Sequence, residues 1–292
     1  MKAYRSAVDL PRGRQVKAQF GRILHRLNPR MSTDVEQHPF SKEWGALGRV
    51  VRNTHFYNAV ESQDHDALHR YLCDYWASPV ASVFFDHFSH RFEDLFLKFH
   101  SGIVDELVTA LKGYANEPIR LIELGSGDGQ VLEYLAEHLP MVDEFHGLDL
   151  NQKQIEECSA QHVESEKLSF HCSDIFEWLE NHPAQNTVFF TNGGVLEYLT
   201  RGQLTKLFQL LRERSARCVV AITETIAVDH DLKNEHATFP YGNELAFSHN
   251  HPAVLREAGF EEQYRNDRLT TELEEWHPAR WLQLVAMSKG SE

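Results

Sequence analysis

The chain has 292 residues, of which 42% are hydrophobic and 25% are charged, proportions typical of a globular protein with a sizeable core. Its formal net charge of −14 makes the chain as a whole a poor partner for the nucleic-acid backbone. No apolar stretch approaches the roughly 20 residues that span a bilayer, no secretory signal opens the chain, and the four cysteines form no Cys-x-x-Cys pair, so we expect a cytoplasmic protein without a membrane partner.

Residues 1–39 predict a basic N-terminal arm followed by a linker. Up to Arg30 the only acid is Asp9. This segment could be a targeting presequence, an arm that contacts an acidic partner, or a solvated and partly disordered terminus, and the last is the most common outcome. The prolines at 29 and 39 favour a linker. The basic residues are Lys2, Arg5, Arg12, Arg14, Lys17, Arg22, Arg26 and Arg30.

Residues 40–117 predict a helical cap, because apolar residues such as Leu68, Leu72 and Tyr75 recur at helical spacing. The segment is dense in aromatic residues, most of which we expect to form its core. A cap that precedes the first strand is well placed to act as a lid over a substrate. Tyr57 is the aromatic residue that we expect to face the ligand.

Two histidine pairs in this segment have a spacing that could hold a metal ion. His65 and His69 are four residues apart, and His87 and His90 are three residues apart, so on a helix each pair shares one face. A third ligand and a fixed second shell are not evident in the sequence. We therefore expect no metal site.

A glycine-rich turn is the most informative feature of the chain. Gly125, Gly127 and Gly129 follow a short apolar run and precede a helical pattern, which predicts a strand, a tight turn and a helix. Glycine allows positive φ angles and lets a ligand approach the bare main chain. Glu123 and Asp128 would repel a pyrophosphate, so the turn favours a ligand with positive charge and hydroxyl groups.

Three further apolar runs end in polar residues. Asp149 ends the second run about twenty residues after the turn, where a ribose diol would be held. Asp174 ends the third run, and Asn192 with Gly193 ends the fourth. The four ends together predict a pocket for a nucleoside.

The remainder of the chain continues the pattern of strands and helices. Residues 217–225 predict a buried fifth strand, and 226–247 an irregular insert that we expect to be functional or disordered. A helix over 251–259 and two further strands, 262–268 and 281–288, follow.

The segment from 119 to 287 resembles the class I S-adenosylmethionine-dependent methyltransferases. Glu123, Gly125, Gly127 and Gly129 match the acid-x-Gly-x-Gly-x-Gly pattern of their first motif. The resemblance implies an α/β fold with a seven-stranded Rossmann-like sheet and helices on both faces, preceded here by the cap, so that 118–292 form the cofactor-binding domain. It also implies S-adenosylmethionine as the cofactor.

The resemblance assigns roles to individual residues of the pocket. It implies that Asp149 holds the ribose hydroxyls, that Asp174 and Ile175 meet the adenine, and that Asn192 and Gly193 line the methionine end. The full predicted cofactor-binding set is Glu123, Gly125, Ser126, Gly127, Gly129, Asp149, Leu150, Asp174, Ile175, Asn192 and Gly193.

The expected reaction is methyl transfer to an oxygen or nitrogen of a small-molecule acceptor. A hydroxyl acceptor benefits from a general base, usually histidine or a carboxylate. His249 is the first candidate, because it stands at the start of the helix that follows the insert. His230 and Tyr57 are the further catalytic candidates. The metal triad of catechol-type members is not visible, which argues against a magnesium-dependent enzyme.

Two other functions remain open on the sequence. The same fold can bind a modified S-adenosylmethionine and transfer a different group, but such enzymes would show an acid pair where this chain has Asn192-Gly193. A subunit that binds the cofactor or a partner without turnover is the other alternative. A homodimer is left open as the assembly.

Overall fold

The computed structural model describes residues 1–41, 43–78, 80–81, 87, 90–114, 117–182, 185–215, 217–271 and 279–288. A seven-stranded sheet has the order β3-β2-β1-β4-β5-β9-β8, and a separate hairpin pairs β6 with β7. The strands are β1 (Ile119–Leu124), β2 (Glu144–Asp149), β3 (Leu168–Cys172), β4 (Asn186–Asn192), β5 (Cys218–Ile226), β6 (Phe239–Tyr241), β7 (Ala246–Ser248), β8 (Phe260–Thr270) and β9 (Ala279–Ser288).

The sheet is parallel from β3 to β5, and β9 runs antiparallel to both of its neighbours. Every residue of β4 and β5 is buried, as expected of central parallel strands that are covered on both faces. The carboxyl ends of β1, β2 and β4 therefore meet at one edge of the sheet, where parallel α/β sheets bind their ligands. The predicted seven-stranded Rossmann-like fold is confirmed.

Helices cover both faces of the sheet. Side chains of α6 and α7, including Leu107 and Leu135, pack on one face, and those of α9, α10 and α11, including Trp178, Leu207 and Val254, pack on the other. The helices are α1 (Arg12–Leu27), α2 (Pro29–Gln37), α3 (Gly45–Ser62), α4 (His65–Trp76), the π-helix α5 (Phe92–His100), α6 (Ile103–Leu111), α7 (Gln130–His138), α8 (Gln152–Gln161), α9 (Ile175–Asn181), α10 (Arg201–Glu213) and α11 (His251–Glu257).

Most of the segment predicted as an arm and linker is helical, because α1 and α2 occupy it from Arg12 to Gln37 with a break at Asn28. α1 and α2 pack on α3, and Met31, Val35 and Val51 form a small buried cluster between α2 and α3. The Asn28 side chain accepts a hydrogen bond from the Met31 amide at 3.1 Å, and Pro29 occupies the first turn of α2. Asparagine followed by proline is a helix start as well as a linker signal.

The insert over 226–247 is more ordered than the sequence predicts, because it contains most of the β6–β7 hairpin. The start of the chain lies against it. Ala3 forms a bridge with Tyr241, and Arg5 makes salt bridges with Asp229 at 3.3 Å and Glu235 at 2.9 Å. The N-terminal residues and the insert therefore form one structural unit. Within the described ranges, no helix has the length and apolar character needed to cross a membrane.

Candidate functional site

The glycine-rich turn after β1 forms the floor of a pocket. Gly125, Gly127 and Gly129 have φ angles of +75°, +53° and +78°, a region that side chains with a Cβ rarely adopt. A Cβ on Gly125 would lie 2.6 Å from the side chain of Val195, which belongs to the loop after β4. Glycine thus allows the turns after β1 and β4 to approach each other closely.

Asp149, the last residue of β2, ties this turn to the neighbouring strand. Its carboxylate accepts hydrogen bonds from the Gly127 amide at 3.0 Å and from the Asn151 amide at 2.9 Å. Burial raises the pKa of Asp149, although these hydrogen bonds act in the opposite direction. The carboxylate lines the pocket and keeps acceptor capacity for a ligand.

Two polar atoms beside the turn are buried without a hydrogen-bond partner. They are Oε2 of Glu123 and Oγ of Ser126. Glu123 is only 2% exposed. Burial raises the pKa of Glu123 well above its usual value, and the nearby Asp128 and Asp149 raise it further. Buried polar atoms normally have partners, so this position calls for a ligand that brings hydrogen-bond donors or positive charge.

Arg91 crosses the pocket just before α5. Its Nη2 donates a hydrogen bond to the Gly193 carbonyl at 2.9 Å, and its guanidinium lies near Glu123 and Asp128, whose charges favour its charged form. Burial nevertheless lowers the pKa of Arg91. Gly193 has a φ angle of +89°, and a Cβ there would overlap the guanidinium. The pocket has two halves, one beside Asp149 and one beside Glu123, and Arg91 lines both of them.

Asn192 ends β4 and lines both halves of the pocket. Its Oδ1 lies 2.8 Å from Nδ1 of the buried His100. Burial lowers the pKa of His100 to about 3, so the ring is neutral at pH 7 and its Nδ1 carries the hydrogen that is donated to Asn192. This contact fixes the side-chain amide of Asn192.

The cap closes the pocket from above. His69, Cys73 and Trp76 of α4 line it together with Tyr198 of a short 3₁₀ helix, Leu196–Tyr198. Nδ1 of His69 lies 2.8 Å from the Tyr198 carbonyl, and Nε2 lies 2.7 Å from the amide nitrogen of Gln203. Both contacts are satisfied when Nδ1 donates and Nε2 accepts. His69 thus anchors the cap to the loop after β4.

The pocket has the features of a family that the sequence alone indicated, and comparison with known proteins decides the matter. The sequence model of a methyltransferase domain matches residues 121–215. Residues 121–215 form a methyltransferase domain. This match agrees with the predicted S-adenosylmethionine-dependent family and with S-adenosylmethionine as its cofactor.

Solved structures resemble the chain in fold. A methyltransferase from Leishmania major has a TM-score of 0.50 at 13% identity and covers 76% of this chain and 83% of its own. Magnesium protoporphyrin IX methyltransferase from Synechocystis PCC 6803, with bound SAM, has a TM-score of 0.49 at 15% identity and covers 76% of this chain and 97% of its own. A methyltransferase from Clostridium acetobutylicum has a TM-score of 0.46 at 12% identity and covers 70% of this chain and 99% of its own. No curated protein matches the chain significantly.

Nearly all of the predicted cofactor-binding residues lie at one edge of the methyltransferase sheet. The exception is Gly129, which begins α7 behind the turn, where a Cβ would meet Phe170 and Cys158. Asp174 lines the pocket and also caps α9, since it accepts a hydrogen bond from the Phe176 amide at 2.8 Å. The others that line the pocket are Glu123, Gly125, Ser126, Gly127, Asp149, Leu150, Ile175, Asn192 and Gly193.

The three predicted catalytic residues lie away from this pocket. His249 is fully buried, and its ring nitrogens contact the Thr238 hydroxyl at 2.9 Å and the Leu199 carbonyl at 3.0 Å. Burial lowers the pKa of His249 to about 3. Its hydrogen bonds and burial give it a structural position, which does not support the predicted role as base.

His230 and Tyr57 are also placed by packing rather than by the pocket. His230 is buried, with Nδ1 2.8 Å from the Ser248 hydroxyl. Tyr57 packs against the buried core of the cap, and the guanidinium of Arg22 lies 5.3 Å from the centre of its ring. Neither position supports the predicted catalytic role.

The histidine pair of α4 is divided between two environments, because His69 lines the pocket while His65 packs on Phe247 with 5.1 Å between ring centres. In the part of the chain that the structure describes, no three His, Cys, Asp or Glu side chains are grouped to hold a metal ion.

Sequence reasoning missed the residues that reach the pocket from a distance. Arg91, Trp76 and His69 carry no local signal for cofactor binding, because packing of the cap alone brings them to the sheet edge. Tyr198 had a signal, since it follows the Asn192-Gly193 turn by only a few residues.

Proposed function

We propose that this protein transfers a methyl group from S-adenosylmethionine to an oxygen or nitrogen of a small-molecule acceptor, without a metal ion. The observation that carries the proposal is the roof of the pocket. Trp76 and Tyr198 lie over the sheet edge that forms the cofactor pocket, called here the cofactor edge, with 5.4 Å between their ring centres. A roof of this kind excludes water and restricts the space to small ligands.

The residues of the pocket fit the cofactor. Asp149 is placed to bind the ribose diol, and the unpartnered Glu123 Oε2 is placed to accept a hydrogen bond from the ammonium group at the methionine end. The bound cofactor supplies an electrophilic methyl group on a sulfonium. The carboxylates of Asp149 and Asp174 already accept backbone hydrogen bonds, which supports their use in holding an organic ligand rather than a metal.

Tyr198 and Glu244 are the pair that we assign to proton removal. The Tyr198 hydroxyl lies 3.3 Å from Glu244 Oε2. Partial desolvation raises the pKa of Glu244 above its usual value, although the residue remains exposed to solvent. A raised pKa brings a carboxylate closer to the pH at which a general base works best. The Glu244 carboxylate would take the proton that the acceptor atom loses when the methyl–sulfur bond breaks and the methyl group moves to that atom, directly or through the Tyr198 hydroxyl.

The four cysteines are free thiols, which supports a reducing compartment. We therefore propose that the acceptor is encountered in the cytoplasm.

The test combines binding with product detection. Calorimetry of the purified protein with S-adenosylmethionine should give a saturable heat, and cofactor with a deuterated methyl group should label members of a panel of hydroxyl and amine compounds, detected by mass spectrometry. Labelling should persist in excess EDTA. Absence of cofactor binding would refute the proposal, and label found only on proteins or nucleic acids, or lost with EDTA, would refute its acceptor or its metal independence.

A further inference from the structure

A second cavity, the cap groove, lies in the helical cap beside the cofactor pocket. It has a volume of about 650 Å³, within the range of pockets that bind small molecules. Its walls come from α1, α3 and α4, and its floor includes Asn243 and Glu244 of the turn between β6 and β7.

Four cations line the cap groove, and this is unusual for a chain with a net charge of −14. They are Arg14, Lys17, Arg49 and Arg52. Among the described residues, none of the four forms a salt bridge with an aspartate or glutamate. Among the lining residues that the structure describes, Glu244 is the only acid, and it is engaged with Tyr198.

The two most enclosed cations bind neutral groups instead. Arg14 donates a hydrogen bond to the Asn243 carbonyl. Arg52 donates to the Pro39 carbonyl at 3.1 Å, and its guanidinium lies 4.7 Å from the centre of the Phe40 ring. Burial lowers the pKa of both arginines. A charge that is partly removed from water without a counter-ion is costly, so the groove favours an anion.

Aromatic rings form the apolar wall of the cap groove. Phe40 and Tyr75 have ring centres 5.2 Å apart, and Phe56 and Tyr71 have ring centres 4.9 Å apart. Rings in such pairs present flat surfaces on which another ring can pack. The cations and the rings together fit a molecule with a flat apolar body and an anionic group.

One layer of side chains separates the cap groove from the cofactor pocket. Glu244 lines the groove and contacts Tyr198, which lines the pocket. Tyr75 lines the groove, and its ring centre lies 5.2 Å from that of Trp76, which lines the pocket. A ligand in the groove is therefore adjacent to the place where the methyl group is delivered.

We propose that the cap groove binds the methyl acceptor, and that the acceptor is an aromatic or similarly flat molecule with a carboxylate, sulfonate or phosphate group. The cations of α1 and α3 hold the anionic group, and the reacting end of the acceptor reaches past Tyr198 and Glu244 into the cofactor pocket. The role of this ligand as methyl acceptor rests on the function proposed above, whereas the binding of an aromatic anion in the groove does not.

The experiment uses 2-naphthoate as the anionic probe and 2-naphthalenemethanol as its neutral counterpart, with the full chain in calorimetry. We expect the wild type to bind 2-naphthoate, and Arg49→Glu to weaken this binding at least about tenfold, because a charge-assisted contact is lost and a repulsive charge is introduced. Lys17→Glu, also at an exposed position of the groove, should act in the same direction.

The matched control is Arg26→Glu, which makes the same charge change on an exposed residue of α1 outside the groove. It should leave 2-naphthoate affinity within about twofold, and Arg49→Glu should leave affinity for the neutral probe within the same margin. Equal 2-naphthoate affinity in the wild type, Arg49→Glu and Lys17→Glu would overturn the proposal, as would the absence of saturable binding to a folded wild type.

Calorimetry with S-adenosylmethionine separates this inference from the proposed function. A wild type that binds 2-naphthoate through the groove but not the cofactor would leave the anion site intact and refute the methyltransferase function. A wild type that binds the cofactor but shows no charge-dependent affinity for 2-naphthoate would refute the groove alone.

Discussion

The cofactor edge and the cap groove are lined by different kinds of chemical groups. At the edge, the glycines of two turns expose the main chain, and Asp149 is held by amides of its own and the neighbouring turn. In the groove, the surface consists of long side chains from α1, α3 and α4 that meet a hairpin turn far later in the chain, as Arg52 and Asn243 illustrate. The edge therefore tolerates few substitutions, whereas the groove can change its ligand by exchanging single side chains.

The sharpest test of the main-chain character of the edge is Gly125→Val. We expect no measurable cofactor binding, because a left-handed φ costs about 1–3 kcal/mol for a residue with a side chain and the valine would collide with Val195, 2.6 Å from its Cβ. Calorimetry measures the binding, and circular dichroism establishes that the variant is folded. Gly202→Ala, in α10 with no close neighbour, is the control. Wild-type cofactor affinity in Gly125→Val would show that the cofactor does not lie against the main chain of this turn.

Glu244→Gln tests the residue of the groove that contacts Tyr198 of the cofactor pocket. Turnover should fall by about 10²–10⁴-fold, the usual contribution of a general base, while cofactor affinity stays within about twofold. Since the pKa of Glu244 is raised and the base acts when ionised, wild-type turnover should fall as pH decreases through a value above 4.5, and this limb should vanish in the variant. Single-turnover kinetics against pH make the measurement. An unchanged pH profile would exclude Glu244.

Asp149→Ala should weaken S-adenosylmethionine binding by about 2–3 kcal/mol, since charge-assisted hydrogen bonds to the ribose are lost. The loss should exceed that of Asp149→Asn, which keeps one acceptor for the backbone amides. If calorimetry finds the two variants equal to the wild type while both remain folded, the edge does not bind the cofactor through this carboxylate.

His249→Ala should have the smallest effect on chemistry, with turnover within a few-fold of the wild type at a temperature where the variant is folded. Its stability should fall by about 1–3 kcal/mol, because two buried hydrogen bonds are lost. The folded pKa of His249 is about 3, below its unfolded value of about 6.5. Its contribution to wild-type stability therefore decreases as pH falls from about 6.5 towards 3. A hundredfold loss of turnover at full stability would restore His249 as the base.

The sequence predicted the edge well for a physical reason. Gly125, Asp149 and Asn192 stand at the ends of apolar runs, and parallel strands bring such ends together regardless of the sequence of the connecting helices. The positions of these residues along the chain are therefore sufficient to predict that they lie close together.

The same reasoning failed in the cap. Pro29 suggests a linker, although Asn28 and Pro29 together start α2. Outside the cap, the place of His249 after the insert suggests a catalytic base, but tertiary packing buries its ring in the core. Arg91 and Trp76 acquire their positions only when α4 and α5 dock on the sheet, so no local pattern could have indicated them.

The attachment of the first residues to the insert has a consequence for how the chain folds. The Ala3 amide donates to Asp229 Oδ1 at 2.8 Å across a separation of 226 residues, and the Tyr4 amide donates to the Pro240 carbonyl at 2.7 Å. During synthesis these residues have no partner until the hairpin has left the ribosome. Contacts between such distant segments form slowly, since a long loop must close first. We expect the sheet to form before the first residues bind the insert, so that their docking is the last step of folding.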